Sequence, residues 1–115
     1  MSKKGILLVS HGSTSTGILN TVNMILGEQE DMKAIENDDP DLLKEKIEDF
    51  LKIMKGDVLI LADVFGGTPF NTILKISRET KVYAVTGMNV PMVIEAVSRR
   101  EYTELKDIPA AIVNA

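Results

Sequence analysis

His11, the one histidine of the chain, comes two residues after the apolar run Ile6-Leu7-Leu8-Val9, and Asp63 directly follows a second run, Val58-Leu59-Ile60-Leu61-Ala62. An imidazole beside a carboxylate can serve as a nucleophile: an acceptor at Nδ1 fixes the tautomer and leaves the Nε2 lone pair free to attack. After Asp63 come Val64-Phe65-Gly66-Gly67-Thr68-Pro69, a Gly-Gly loop followed by a helix start. Backbone N–H groups at Gly66 and Gly67, the positive end of that helix and the Thr68 hydroxyl all suit phosphoryl oxygens. Gly12 is expected to let the backbone approach the same group closely. There is no Walker lysine motif, and no Lys or Arg lies between Gly5 and Met32, so the site is not built for a nucleotide triphosphate.

For His11 and Asp63 to act together, the elements that carry them must converge. Short apolar runs alternate with helical patterns along the chain, each run closing in Gly, Asn, Asp or Pro, as expected of βαβ units. Ile6 to Val9, Met32 to Ile35, Val58 to Ala62 and Lys81 to Thr86 are the predicted strands. The predicted helices run from Gly17 to Leu26, from Pro40 to about Met54 with Asp39 as cap, from Pro69 with Thr68 as cap, and from Pro91 to Val97. Ile18, Val22, Ile25 and Leu26 form the expected buried stripe of the first helix, and Phe70, Ile73, Leu74 and Ser77 that of the third. Met24, Met32, Met54, Met88 and Met92 are read as core filling. The tail from Tyr102 to Ala115 is left open between a strand, a short helix interrupted near Pro109, or both.

Right-handed crossovers in a four-stranded parallel sheet most simply give the order 2-1-3-4, with helices on both faces and room for a C-terminal strand to complete it. Strands one and three are then neighbours across a switch point, where ligands bind, and His11 and Asp63 meet there. Taken singly, each residue also has a structural reading. A lone histidine at a strand end is commonly a framework residue, Gly66-Gly67 a plain turn, and Asp63 an acceptor for turn N–H groups. Val64, Phe65, Met88 and Val90 fall in the loops after strands three and four. They are expected on a partner-docking rim around His11, with folding inward as loop anchors the alternative.

Composition narrows the function. Thirteen Lys and Arg against seventeen Asp and Glu give a net charge of −4, the wrong sign for neutralising nucleic acid. Two Tyr, three Phe and no Trp are too few for a base-stacking platform. With no Cys and one His, a structural zinc site of about four Cys or His ligands is excluded, and neither another metal nor a cofactor is signalled. At 115 residues the expectation is one domain, residues 1–115. The residues before Ser10 are too short an apolar stretch for a signal peptide, which points to the cytoplasm.

Four segments add a resemblance: Leu8-Val9-Ser10-His11-Gly12, Ile25-Leu26-Gly27-Glu28-Gln29-Glu30, Asp63-Val64-Phe65-Gly66-Gly67-Thr68-Pro69-Phe70-Asn71, and Gly87-Met88-Asn89-Val90-Pro91-Met92. Taken in this order, the chain resembles the mannose-family IIA domain of the bacterial sugar phosphotransferase system. The resemblance implies a phosphotransferase with His11 phosphorylated at Nε2, Asp63 as its hydrogen-bonded partner, and Thr68, often Ser in the family, near the phosphoryl group. It further implies a histidine-containing phosphocarrier protein as donor, a separate IIB component as acceptor, a membrane sugar permease downstream and a homodimer. The alternative function is a regulatory module in which the phosphorylation state of His11 controls a kinase or transcription factor.

Overall fold

The computed structural model describes residues 4–64 and 66–113. Its four strands, β1 (Lys4–Ser10), β2 (Met32–Glu36), β3 (Asp57–Ala62) and β4 (Tyr83–Thr86), are all parallel in the expected order β2-β1-β3-β4. The two central strands pair from Lys4 opposite Asp57 to Val9 opposite Ala62. Both of their faces are covered, so their sequences are nearly unbroken apolar runs.

Helices α1 (Thr14–Leu26), α2 (Pro40–Met54), α3 (Gly67–Ser77) and α4 (Val90–Arg100) connect and follow the strands, and a 3-10 turn (Leu105–Asp107) leads into α5 (Ile108–Val113). The period-2 alternation of the strands divides the core in two. Ile6, Leu8, Leu59 and Leu61 pack with Ile18 and Val22 of α1, Val93 and Val97 of α4, and Ile108 and Ile112 of α5. Leu7, Val9, Val58 and Ile60 pack with Leu43, Ile47, Phe50 and Met54 of α2 and with Ile73 and Ile76 of α3. Two helices begin by the same rule: Asp39 accepts the Asp41 N–H at 2.9 Å ahead of α2, and Asn89 accepts the Met92 N–H at 2.9 Å ahead of α4. The cap at Asn89, two residues ahead of Pro91, lies where the sequence suggests only a loop.

Several expectations are corrected. Helix α1 starts at Thr14, and its last turn is exposed, with Met24 at 86% and Ile25 at 58%, because the apolar layer beneath it ends at Val22. Helix α3 is capped at Gly66 rather than Thr68, and no side chain caps it. It packs against α2 as well as the sheet, so its buried residues are Pro69, Thr72, Ile73 and Ile76, while Leu74 and Ser77 stay exposed. Helix α4 runs on to Arg100. Strand β4 begins only at Tyr83. Among the described residues the tail adds no strand: Leu105, Ile108 and Ile112 fold it as helix onto the core, with Pro109 in the first turn of α5, where a missing N–H costs nothing.

Candidate functional site

The pairing of β1 with β3 continues one residue past the end of β3, with the Asp63 N–H donating to the Val9 carbonyl at 3.1 Å. This brings Asp63 beside the turn that follows Ser10. Oδ2 of Asp63 accepts both the backbone N–H of His11 and its ring Nδ1, each at 3.0 Å. Oδ1 accepts the Val64 N–H at 3.0 Å. The sequence-predicted pair therefore converges, one oxygen holding the histidine at two points.

Burial pushes the Asp63 carboxyl up, but the His11 N–H, the bond and charge of the His11 ring and the Val64 N–H outweigh it. The carboxyl therefore sits below its ordinary value. An ionised carboxylate can only accept, so Nδ1 carries the ring proton and Nε2 presents its lone pair. The His11 side chain is 47% exposed against 14% for Asp63, so the carboxylate is sheltered and the imidazole is accessible.

Glycine supplies the other wall. A β-carbon at Gly67 would lie 2.7 Å from Nε2 and 3.1 Å from Cε1 of His11, and Gly66 and Gly67 hold φ of +91° and +79°. Only glycine takes this path at little cost, and it brings the N-terminus of α3 alongside Nε2. At Gly12, by contrast, a β-carbon would meet nothing within 4 Å. The close backbone approach to the His11 ring is made by Gly67. Thr68 is half-buried at the start of α3.

The docking rim is only partly where the sequence suggests. Val64 is 49% exposed, but Met88 is 7% exposed and part of the core, and Val90 packs against that core. Gly87, with φ +78°, turns the chain so that Met88 points inward, and the Met88 N–H donates to the Ala62 carbonyl at 3.0 Å. Phe65 lies outside the described residues. Sequence reasoning missed a pair of fully buried hydroxyls, Ser10 and Ser15, directly beneath the His11 turn. Ser15 stands in the run Ser13 to Thr16, whose hydroxyls gave no sign of burial.

Among the described residues, no group of three or more His, Cys, Asp or Glu could hold a metal ion. No helix among them is long and apolar enough to cross a membrane.

Known proteins share this sequence pattern and fold. Residues 5–113 match the family model EIIA-man, PTS system fructose IIA component. The chain is 30% identical over 109 residues to the fructose-specific EIIA component of Bacillus subtilis, covering 90% of this chain and 75% of that protein. It is 35% identical over 103 residues to the mannose-specific EIIAB component of Escherichia coli, covering 84% of this chain and 32% of that longer protein. In structure it is similar to phosphotransferase system component EIIA from Streptococcus agalactiae, with TM-score 0.89 and 28% identity over 96% of this chain and 90% of the other. With His11 and Asp63 joined at the switch point of a 2-1-3-4 sheet, the chain belongs to the mannose-type IIA family of the sugar phosphotransferase system.

Proposed function

We propose that the protein is a phosphocarrier: His11 accepts a phosphoryl group from a phosphorylated histidine-containing carrier protein and passes it to a IIB component in the cytoplasm, for delivery to a membrane sugar permease. The observation that carries the reading is the pair of hydrogen bonds that Asp63 Oδ2 accepts from the backbone and the ring of His11, which leaves Nε2 as the free nitrogen beside α3.

In the first transfer the Nε2 lone pair attacks phosphorus in line while the P–N bond to the donor imidazole breaks, and the donor leaves with that electron pair. The His11 proton stays on Nδ1. The ring, now bonded at both nitrogens, carries positive charge that the Asp63 carboxylate balances. The Gly66 and Gly67 N–H groups, the positive end of α3 and the Thr68 hydroxyl receive the phosphoryl oxygens, with Gly12 at the rim. In the second transfer the acceptor nitrogen attacks and His11 becomes the leaving group. Phosphoryl transfer asks the protein mainly for position and electrostatics, so no cofactor is needed.

Partners reach Nε2 over an exposed rim that includes Val64. Among the described residues no strand pairs with the second edge of β4, and between it and α3 lies a cavity of about 250 Å³ lined by Phe70, Leu74 and Ala84 among others. An open apolar edge of this kind favours a homodimer.

The test is incubation with the general phosphotransferase proteins and labelled phosphoenolpyruvate. The expected result is an acid-labile, alkali-stable label on His11 that is absent from His11→Ala. Label retained by that variant would overturn the reading.

A further inference from the structure

Beneath the reactive histidine lies a polar cluster that the phosphoryl chemistry above does not use. Ser10 and Ser15 are both 0% exposed. Two hydroxyls in an apolar core are costly unless every one is bonded, and here they are. Ser10 Oγ lies 2.6 Å from the Gly12 carbonyl and 2.8 Å from Ser15 Oγ, and with one proton it donates to one of them at a time. It also accepts the Ser15 N–H at 2.9 Å, while Ser15 Oγ donates to the Ile35 carbonyl of β2 at 3.0 Å.

These bonds replace an ordinary helix cap. Ser13, the N-cap residue of α1, makes no side-chain capping bond. The orphan N–H of the first turn is taken instead by Ser10, the last residue of β1, from the other side of His11. The same hydroxyl reaches the carbonyl of Gly12, the residue after His11. The five-residue path from Ser10 to Thr14 is thus closed from beneath by the hydroxyl pair, and from above by Asp63 on the His11 N–H.

We propose that Ser15, acting through Ser10, is a positioning residue for His11: the buried hydroxyl pair fixes the turn so that the backbone N–H and Nδ1 of His11 meet Asp63 Oδ2 together. The proposal rests on the phosphocarrier reading for its kinetic consequence but not for its structural one. Loss of the hydroxyl lets the turn drift, the ring loses its fixed tautomer, and misplacement of a reacting atom by about 1 Å is enough to slow transfer by up to 100-fold.

The experiment uses Ser15→Ala, with Ser10→Ala as the second variant if the first does not fold. The control is Thr16→Val, which unties the same helix from the same strand by removing a 2.6 Å bond to Glu36 Oε2 without touching the turn. Nitrogen NMR of the unphosphorylated His11 ring reads the tautomer, and transfer kinetics read kcat and KM. The expected result for the serine variants is a raised Nε2–H population and a kcat about 10-fold lower with KM within about twofold. Thr16→Val should move neither. In the unaltered protein the Ser15 amide should exchange slowly with solvent. A serine variant that melts earlier yet keeps the ring signals and kcat would overturn the proposal, as would a rapidly exchanging Ser15 amide. If the unaltered protein takes no label at all, the phosphocarrier reading fails, and the ring signals alone then decide the role of Ser15.

Discussion

Gly67 stands against His11 so closely that a β-carbon added to it would lie 2.7 Å from Nε2. No carbon and nitrogen rest at that distance without bonding, and at φ +79° a side chain is strained as well. Gly67→Ala should therefore cost about 1–3 kcal/mol of stability and displace the His11 ring. Phosphorylation of His11 should fall further than the melting temperature alone explains. Normal labelling in this variant would mean that Nε2 has another approach.

Asp63→Asn keeps an acceptor for Nδ1 but loses the charge that balances the ring. Transfer should slow by about 100-fold with the fold intact, as judged by circular dichroism. The carboxyl is held below its ordinary value in the fold, so its contribution to stability is complete above the usual carboxylate range, around 3.9. It is lost as pH falls through the lower folded-state value. The stability gap between the unaltered protein and Asp63→Asn should thus close on acidification, which denaturant titrations at neutral and acid pH will measure.

Thr68→Val tests a hydroxyl without a capping role. Because α3 is capped at Gly66 with no side-chain bond, stability should change by less than about 0.5 kcal/mol. Transfer should still slow through the lost phosphoryl contact. An unchanged rate would reduce Thr68 to the framework.

The loops after β3 and β4 suggest one rim for Val64 and Met88, but Val64 is exposed and Met88 is buried. Met88→Ala removes a core side chain and should destabilise by about 2–5 kcal/mol. Val64→Ala should leave the melting temperature alone and raise KM for the carrier protein. Thermal unfolding and transfer assays on the two variants will show opposite patterns.

Leu74 lines the cavity beside the open edge of β4 and is 42% exposed. Light scattering at micromolar concentration should find a dimer, and Leu74→Glu should convert it to a monomer of similar melting temperature. A monomeric unaltered protein would remove the dimer.

The convergence of His11 with Asp63 was legible because it depends on strand order, and strand order follows from apolar runs such as Val58 to Ala62 that only a doubly covered strand carries. Side-chain direction within loops and at helix ends was less legible. Met88 is read from the sequence both as core filling and as rim, and the positive φ of Gly87 turns it into the core. Leu74 and Ile73 are adjacent and equally apolar, and only the packing of α3 against α2 chooses between them. Nothing in the run Ser13 to Thr16 marks Ser15 as the hydroxyl that is buried. Its burial depends on the distant Ile35 carbonyl, 20 residues along the chain.

One oxygen of Asp63 grips both the backbone and the ring of the same residue, so the imidazole is anchored to its own main chain before any partner arrives. In the proposed carrier role, a ring anchored in this way would have little to rearrange when it loads or unloads, and its barriers in the two directions would differ mainly by what the partners bring. Such a site would have no ratchet. Phosphoryl flux through His11 would run either way, in proportion to how charged the upstream and downstream pools are, much as current follows a voltage difference across a plain conductor.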